Sequence, residues 1–345
     1  MDIRIAQESD QQVWDAYVRQ HPKGLAYHQF AWKQAVKQAY GFDACYLLAE
    51  EQGRVVGVLP LIVFPAPFFK KQYVSLPFCD VGGVLADNSV VADRLAEQAI
   101  ALARHERIAR IEIRSEDVSV GNTGLADASQ KVRMVLDLPN DSAKLLAGLK
   151  AKLRSQVKKP MRDGLSFRVG GLELLDDFYF VFIRNMRDLG SPVHSRRWIM
   201  AVMQCYGQEA RIAVVYASEG WPAAAGLMLL HPAAVSNPWA SALRSYKHLN
   251  PNMLLYWAML SFAADNGFPC FDFGRSTPGG GTYKFKEQWG ARAVPLQWMD
   301  LLHARVTSAS TGSSRLRRFA EQVWSRLPLN LTAFVGPYVR RHIAL

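Results

Sequence analysis

A hairpin, a strand, a helix and a further strand follow one another twice along this 345-residue chain, and this doubling restricts the fold more than any single motif does. In the first half, apolar runs over residues 44–50 and 54–64 flank Glu51-Gln52-Gly53, a hairpin signal. A strand-like piece at 81–85 follows. Val91, Leu95, Ala99 and Leu102 then recur at helical spacing through 89–106, before alternating strands at 111–114 and 132–138. Upstream, 27–40 reads as a helix stopped by Gly41. The second half begins with a basic helix over 142–159 that Pro160 ends, and helices at 176–188 and 196–204 follow. Strands at 211–216, 223–231 and 239–246 come next. Asn250 caps a helix over 251–266 with Pro251 at its first position, and a strand at 270–273 closes the order.

Such a chain is too long for one ordinary core, so two units are expected. With 50% hydrophobic and 21% charged residues, it is globular rather than disordered. The first eighteen residues carry acidic groups and no apolar run, unlike a secretory signal. The apolar run at 55–67 is interrupted by glycine and proline and falls short of the roughly 20 residues a spanning helix needs. A soluble or membrane-peripheral protein is expected. Cys45, Cys79, Cys205 and Cys270 form no metal-ligand spacing, which points to a reduced, cytoplasmic setting without a metal.

The net charge of +11 is concentrated in two places. Residues 144–168 hold eight cations against Asp163, and 305–345 hold seven arginines against Glu321, so the remainder is slightly acidic. The first segment suits a phosphate-bearing substrate or is a solvated face. In the second, beyond a low-complexity stretch at 308–314, Leu316, Phe319, Val323 and Trp324 alternate with arginines at helical spacing. That helix either lies on an anionic membrane surface, which would make the protein peripheral at the inner membrane, or docks on the body by its aromatic face.

The densest chemistry falls in FDFGRSTPGGGTYKFKEQWG, residues 271–290. Strand-like alternation of Phe271, Asp272 and Phe273 runs into Gly274, and a glycine-rich loop separates Arg275 from Lys284 and Lys286. Backbone N–H groups in such a loop approach a ligand closely, and the cations suit a phosphate, a carboxylate or a developing oxyanion. The alternative is a solvated turn.

Four pieces of the sequence resemble the FemAB-type proteins of the GNAT superfamily, particularly those associated with PEP-CTERM exosortase and exopolysaccharide systems. They are SLPFCDVGGVLA (75–86), SPVHSRRW (191–198), YKHLNPNMLLYW (246–257) and DFGRSTPGGGTYKFKEQWGA (272–291). The resemblance implies an α/β (α+β) fold of tandem GNAT-like domains, each a mixed twisted sheet flanked by helices. Residues 1–140 would form the first, 141–304 the second, carrying the site, and 305–345 a basic tail. It also implies acyl or aminoacyl transfer to an amino group on a cell-envelope or exopolysaccharide precursor, with acyl-CoA or aminoacyl-tRNA as donor. The segment equivalent to the GNAT pyrophosphate loop, 244–250, contains no glycine, which weighs against acetyl-CoA.

By that likeness Lys286 contacts the donor phosphate or the oxyanion, with Lys284 its nearest substitute. Asp272 either deprotonates the acceptor or makes a structural ion pair with Arg275. His194 and Arg196 offer a base and an anion contact, or His194 is a surface histidine without a role. Arg275, Ser276, Tyr283, Tyr246 and Arg154 complete the candidate substrate contacts. Trp289 is expected in the core. The expected partners are an anionic donor, tRNA among the candidates, and an envelope-precursor acceptor, bound by a monomer. A binding module for a lipid-linked glycan without catalysis is the rival reading. Nucleic-acid binding as the main purpose is weaker, since no recognised motif accompanies the charge.

Overall fold

The computed structural model describes residues 1–65, 70–116, 131–307 and 315–344. The first half comprises β1 (Asp2–Ile5), α1 (Gln11–Gln20), α2 (Phe30–Tyr40), β2 (Leu47–Glu51), β3 (Arg54–Leu59), β4 (Ile62–Pro65), β5 (Lys71–Val74), β6 (Leu85–Ala86), α3 (Ser89–His105) and β7 (Ile111–Ser115). The expected hairpin is β2–β3: Gln52 and Gly53 both take positive φ (50° and 76°), which matches the twist of a two-residue turn. Gly41, at φ 71°, ends α2. Asn88 caps α3 through its side chain.

The second half follows with β8 (Val132–Asp137), α4 (Ser142–Gly148), α5 (Ala151–Arg162), β9 (Ser166–Gly170), α6 (Leu175–Asp188), α7 (Arg196–Tyr206), β10 (Ala210–Tyr216), β11 (Pro222–His231), β12 (Ala234–Ala242), α8 (Pro251–Asp265), β13 (Cys270–Ser276) and α9 (Gly281–Glu287). The chain closes with β14 (Arg292–Pro295), β15 (Gln297–Asp300), β16 (Arg305–Thr307), α10 (Arg315–Arg326) and α11 (Leu329–Arg340).

Among the described residues the strands form three sheets, ordered β1-β2-β3-β6, β16-β15-β7-β5-β4 and β14-β8-β13-β12-β11-β10-β9. Sheet membership does not follow chain order. β8 inserts between β14 and β13 in the second half's sheet, while β15 and β16 return to extend the first half's sheet beyond β7. The halves are further joined by α2 on α7, where Trp32 meets Trp198 edge-on at 5.2 Å and donates its indole N–H to the Pro77 carbonyl. One buried cluster runs through Trp14, Phe30, Trp32, Phe178, Trp198 and Leu227, so both halves share a core. No described helix is long and apolar enough to cross a membrane.

Several sequence expectations are corrected. The basic helix over 142–159 is two helices, broken where Leu149 and Lys150 are extended, and Pro160 lies inside the last turn of α5. The piece at 81–85 contributes only β6, and the strand expected at 239–246 is the end of β12 followed by 3-10 turns over Arg244–Leu249. Asn250 makes no side-chain cap. It sits at φ 55°, ψ 46°, a left-handed geometry that asparagine tolerates and that turns the chain into α8. Apolar on every face, α8 is covered by the sheet on one side and by α4 and α5 on the other. The linker at 308–314 and the side chain of Leu316 lie outside the described residues.

Candidate active site

The site follows from a divergence of two strands. β12 and β13 run parallel but pair only at Val235↔Phe271 and Ser236↔Asp272. Beyond that point Gly274 takes φ 71° and the pairing of β13 with β8 shifts register, so β13 bends away from β12. On β12 the Asn237 amide donates to the carbonyls of Leu227 and Trp239, holding its own irregularity. The V between the strands opens a cleft of about 320 Å³. Asn237 and Trp239 line one wall, and Gly274, Arg275 and Lys286 the other. Tyr27, Phe78 and Asp80 reach in from the first half and Arg340 from the tail.

Lys286 lies on α9, a short helix that the glycine-rich loop starts rather than a loop position. Its side chain is 7% exposed and Nζ donates to the carbonyls of Gly274 and Arg275, each at 3.0 Å. Two of three ammonium donors are thus engaged, leaving one for a ligand. Burial pushes the pKa down to about 8, against the pull of Asp272 and Asp80. Lys284, two residues earlier, is exposed and does not line the cleft, because two helical steps rotate a side chain by about 200°.

Asp272 is 3% exposed, lies outside the cleft lining, and pairs with Arg133 at 3.4 Å rather than with Arg275. It accepts the Gly274 N–H at 2.8 Å, which fixes the bend in β13. Burial raises its pKa, opposed by Arg133 and the Gly274 amide. Arg275 instead meets Asp80: its N–H donates to one carboxylate oxygen at 3.1 Å and its Nε lies 3.5 Å from the other.

Asp80 is held there by a strained loop. Leu76 and Phe78 both have positive φ (63° and 70°), a conformation that bulky residues avoid and that persists only where surroundings enforce it. The buried Arg114 supplies the enforcement. It donates to the carbonyls of Leu76, Cys79 and Ala344, donates through Nε and Nη2 to one carboxylate oxygen of Glu112 and stacks 4.3 Å from Trp298. Phe78 N–H also donates to Ala344 O at 2.6 Å. Cys79 lines the cleft, but burial pushes its thiol up and its sulfur lies against the carbonyls of Leu76 and Val81, an unsuitable setting for a nucleophile.

The remaining candidates lie elsewhere. His194 is not a surface residue: it is 1% exposed, wedged between Phe78, Trp198 and Trp239, hydrogen-bonded to Tyr40 at 2.8 Å and held neutral by burial. It backs the cleft wall without lining it. Arg196 pairs with Asp176 on the exterior. Ser276 is buried outside the cleft lining, and Tyr283 packs on the core around α8. Tyr246 lines a separate groove of about 610 Å³ with Arg184, Arg244 and Trp221. Arg154 donates to the carbonyls of Ala147 and Leu149 at the end of α4, a local capping contact. Trp289 is in the core, as expected.

Of the cleft lining only Arg275 and Lys286 were candidates; the polar or charged lining residues beyond them include Asp80, Tyr27 and Arg340. Asp80 falls inside the family-like segment 75–86, which marks it in the sequence. Arg340 is one of seven tail arginines and nothing local sets it apart. Burial lowers its pKa to about 10, with Arg114 and Arg275 adding to the effect. The cleft therefore gathers Arg275, Lys286 and Arg340 around Asp80.

Residues 148–287 match the family described as acetyltransferase (GNAT) domain. The chain is 21% identical over 285 residues to the UDP-N-acetylmuramoylpentapeptide-lysine N(6)-alanyltransferase of Weissella viridescens, covering 76% of this chain and 82% of that one. The crystal structure of FemX superposes with a TM-score of 0.70 at 15% identity, over 88% of this chain and 98% of that one. A tandem GNAT protein from the clavulanic acid biosynthesis pathway gives 0.54 at 12% identity, over 87% and 99%. The class is thus a tandem GNAT fold, with the match to the acetyltransferase (GNAT) domain in its second half. Within that class the chain is similar to FemX and to the alanyltransferase.

Proposed function

We propose that this protein transfers an aminoacyl or acyl group to an amine on a cell-envelope precursor, with the β12–β13 cleft as the transfer site. The observation that carries this reading is Lys286: a buried ammonium with one donor left, seated on the wall of a strand split within the GNAT-matched segment. The alanyltransferase acts, by its name, on a lysine side chain of a UDP-linked muramoyl pentapeptide, and a comparable amine is the acceptor proposed here. Exopolysaccharide amines are the other member of that class.

In the reaction the acceptor nitrogen attacks the carbonyl carbon of the donor ester or thioester. The carbonyl oxygen becomes an oxyanion to which the free Lys286 N–H donates. Asp80, the carboxylate that faces the cleft, first takes a proton from the acceptor ammonium and so frees the lone pair that attacks, while Asp272 positions Gly274 and β13. Collapse of the adduct breaks the bond to the donor oxygen or sulfur, which leaves with the proton that the adduct nitrogen gives up as the amide forms. Arg275 and Arg340 supply charge for the phosphates of donor or acceptor. The glycine-free loop before α8 favours aminoacyl-tRNA over acyl-CoA as donor.

The test supplies purified protein with labelled alanyl-tRNA or acetyl-CoA and UDP-linked muramoyl pentapeptide or an amino-sugar acceptor. Label is expected in the acceptor amine from the tRNA donor and is expected to vanish with Lys286→Met. Transfer from neither donor to any acceptor, or undiminished transfer by the variant, overturns the reading.

A further inference from the structure

The tail packs on the body, and of the aromatic face that could either dock or meet a membrane, Phe319 and Val323 are exposed while Trp324 is half-buried. α10 and α11 pack on α6, and α11 turns Thr332 and Gly336 inward, where an added Cβ at Gly336 would lie 3.1 Å from Val193. Its aromatic side points away. Leu331, Phe334 and Tyr338, at spacings of three and four, form one outward stripe, and Phe334 and Tyr338 are 69% and 61% exposed. On α10, Phe319 (67% exposed) and Val323 repeat the pattern. Seven of the fifteen large apolar side chains exposed among the described residues fall between 319 and 343, so exposed apolar surface concentrates on these two helices.

The charge around the patch is mostly positive. Arg318 and Arg326 are exposed beside it, Arg315 and Arg317 belong to the same segment, and Glu321 is its single acid. Outward aromatic residues flanked by arginines suit an anionic lipid interface, where rings enter the headgroup boundary while cations meet lipid phosphates. A protein partner of ordinary composition would not require this excess of positive charge. The helix that carries the stripe also carries Arg340 into the cleft, so the lipid-facing side and the transfer site share one rigid element.

We propose that α10 and α11 seat the protein on an anionic bilayer through Phe319, Val323, Leu331, Phe334 and Tyr338. This seating does not depend on the transfer chemistry. The full-length protein is sedimented with vesicles of phosphatidylcholine alone or with one-third phosphatidylglycerol, at low and high salt. Binding to anionic vesicles is expected to exceed binding to neutral ones and to weaken with salt, by about fivefold for each arginine removed in Arg318→Gln and Arg326→Gln. The Phe334→Ser/Tyr338→Ser protein is expected to lose binding by on the order of tenfold while its circular dichroism and unfolding midpoint stay as in the parent. Equal binding to both vesicle types, or no change in these variants, overturns the proposal. So does a stable dimer in light scattering that those serines dissolve, because the stripe would then be occupied by a second copy.

Discussion

Asp80 and Arg275, 195 residues apart, close the cleft across the two halves: the Arg275 backbone N–H and its guanidinium both address one carboxylate. A purely structural tie would need only an acceptor. Asparagine at position 80 keeps the acceptor for the N–H and removes the charge.

Asp80→Asn is therefore expected to leave the unfolding midpoint close to that of the parent. It should lower transfer by about 100-fold or more, the range for loss of a positioned proton acceptor. Rates from single-turnover assays, read beside thermal unfolding, check this. Full activity with reduced stability would mean that Asp80 is only a strut.

Lys286 yields a prediction whose sign changes with pH. Its folded pKa of about 8 lies below its ordinary value of 10.5, so between those values the unfolded chain holds more protons and stability rises with pH. Below about 8 the buried charge is a burden of about 3 kcal/mol. Lys286→Met removes that burden but leaves the Gly274 and Arg275 carbonyls without their donor, a loss of about 1 kcal/mol each. The variant should be slightly more stable than the parent near neutral pH and less stable near pH 10, as denaturant titrations at the two pH values would show. Transfer by the parent should fall as pH rises through about 8, because the oxyanion needs the protonated amine. A rate that rises there instead would make Lys286 the base.

Periodicity and turn chemistry made the elements of this fold legible, because each is decided by near neighbours. Gln52-Gly53, the repeat of Val91, Leu95 and Ala99, and Pro251 all specify locally what the structure shows. Sheet assignment is not local. Val132–Asp137 reads as a strand, yet whether it joins β7 or β13 depends on contacts more than 130 residues away. The site divides in the same way. Lys286 and Arg275 share a short segment with the strand end and could be singled out, whereas Tyr27, Asp80 and Arg340 arrive from distant parts of the chain. His194 was misplaced for a related reason: a histidine beside two arginines reads as surface until three aromatic rings from other elements enclose it.

Gly190 tests the docking of the tail. It sits at φ 70°, and a Cβ there would stand 2.3 Å from the carbonyl oxygen of Glu321 on α10. Gly190→Ala is expected to combine left-handed strain with backbone displacement and to lower stability by about 1–3 kcal/mol. Hydrogen exchange should accelerate in α10 before it does in α8. Uniform acceleration across the chain would show that the tail is not a separable layer.

Arg114 is where the strained loop, the tail and the site meet, and replacing it with lysine separates charge from geometry. A lysine retains the cation beside Glu112 but, as a point charge on a flexible stem, cannot hold the carbonyls of Leu76, Cys79 and Ala344 together with the two-donor contact to Glu112. Arg114 supports the positive φ at Leu76 and Phe78 through the carbonyls on either side of them, so without it the loop should relax and carry Asp80 out of register with Arg275. Arg114→Lys is expected to destabilise the protein by about 2–4 kcal/mol, through buried carbonyls left without donors. At a temperature where the variant is still folded, kcat should drop on the scale of the Asp80 variant while donor affinity changes less. Adding Asp80→Asn to Arg114→Lys should then cost little more, since both act on the same carboxylate. Additive losses would place the effect of Arg114 somewhere other than Asp80.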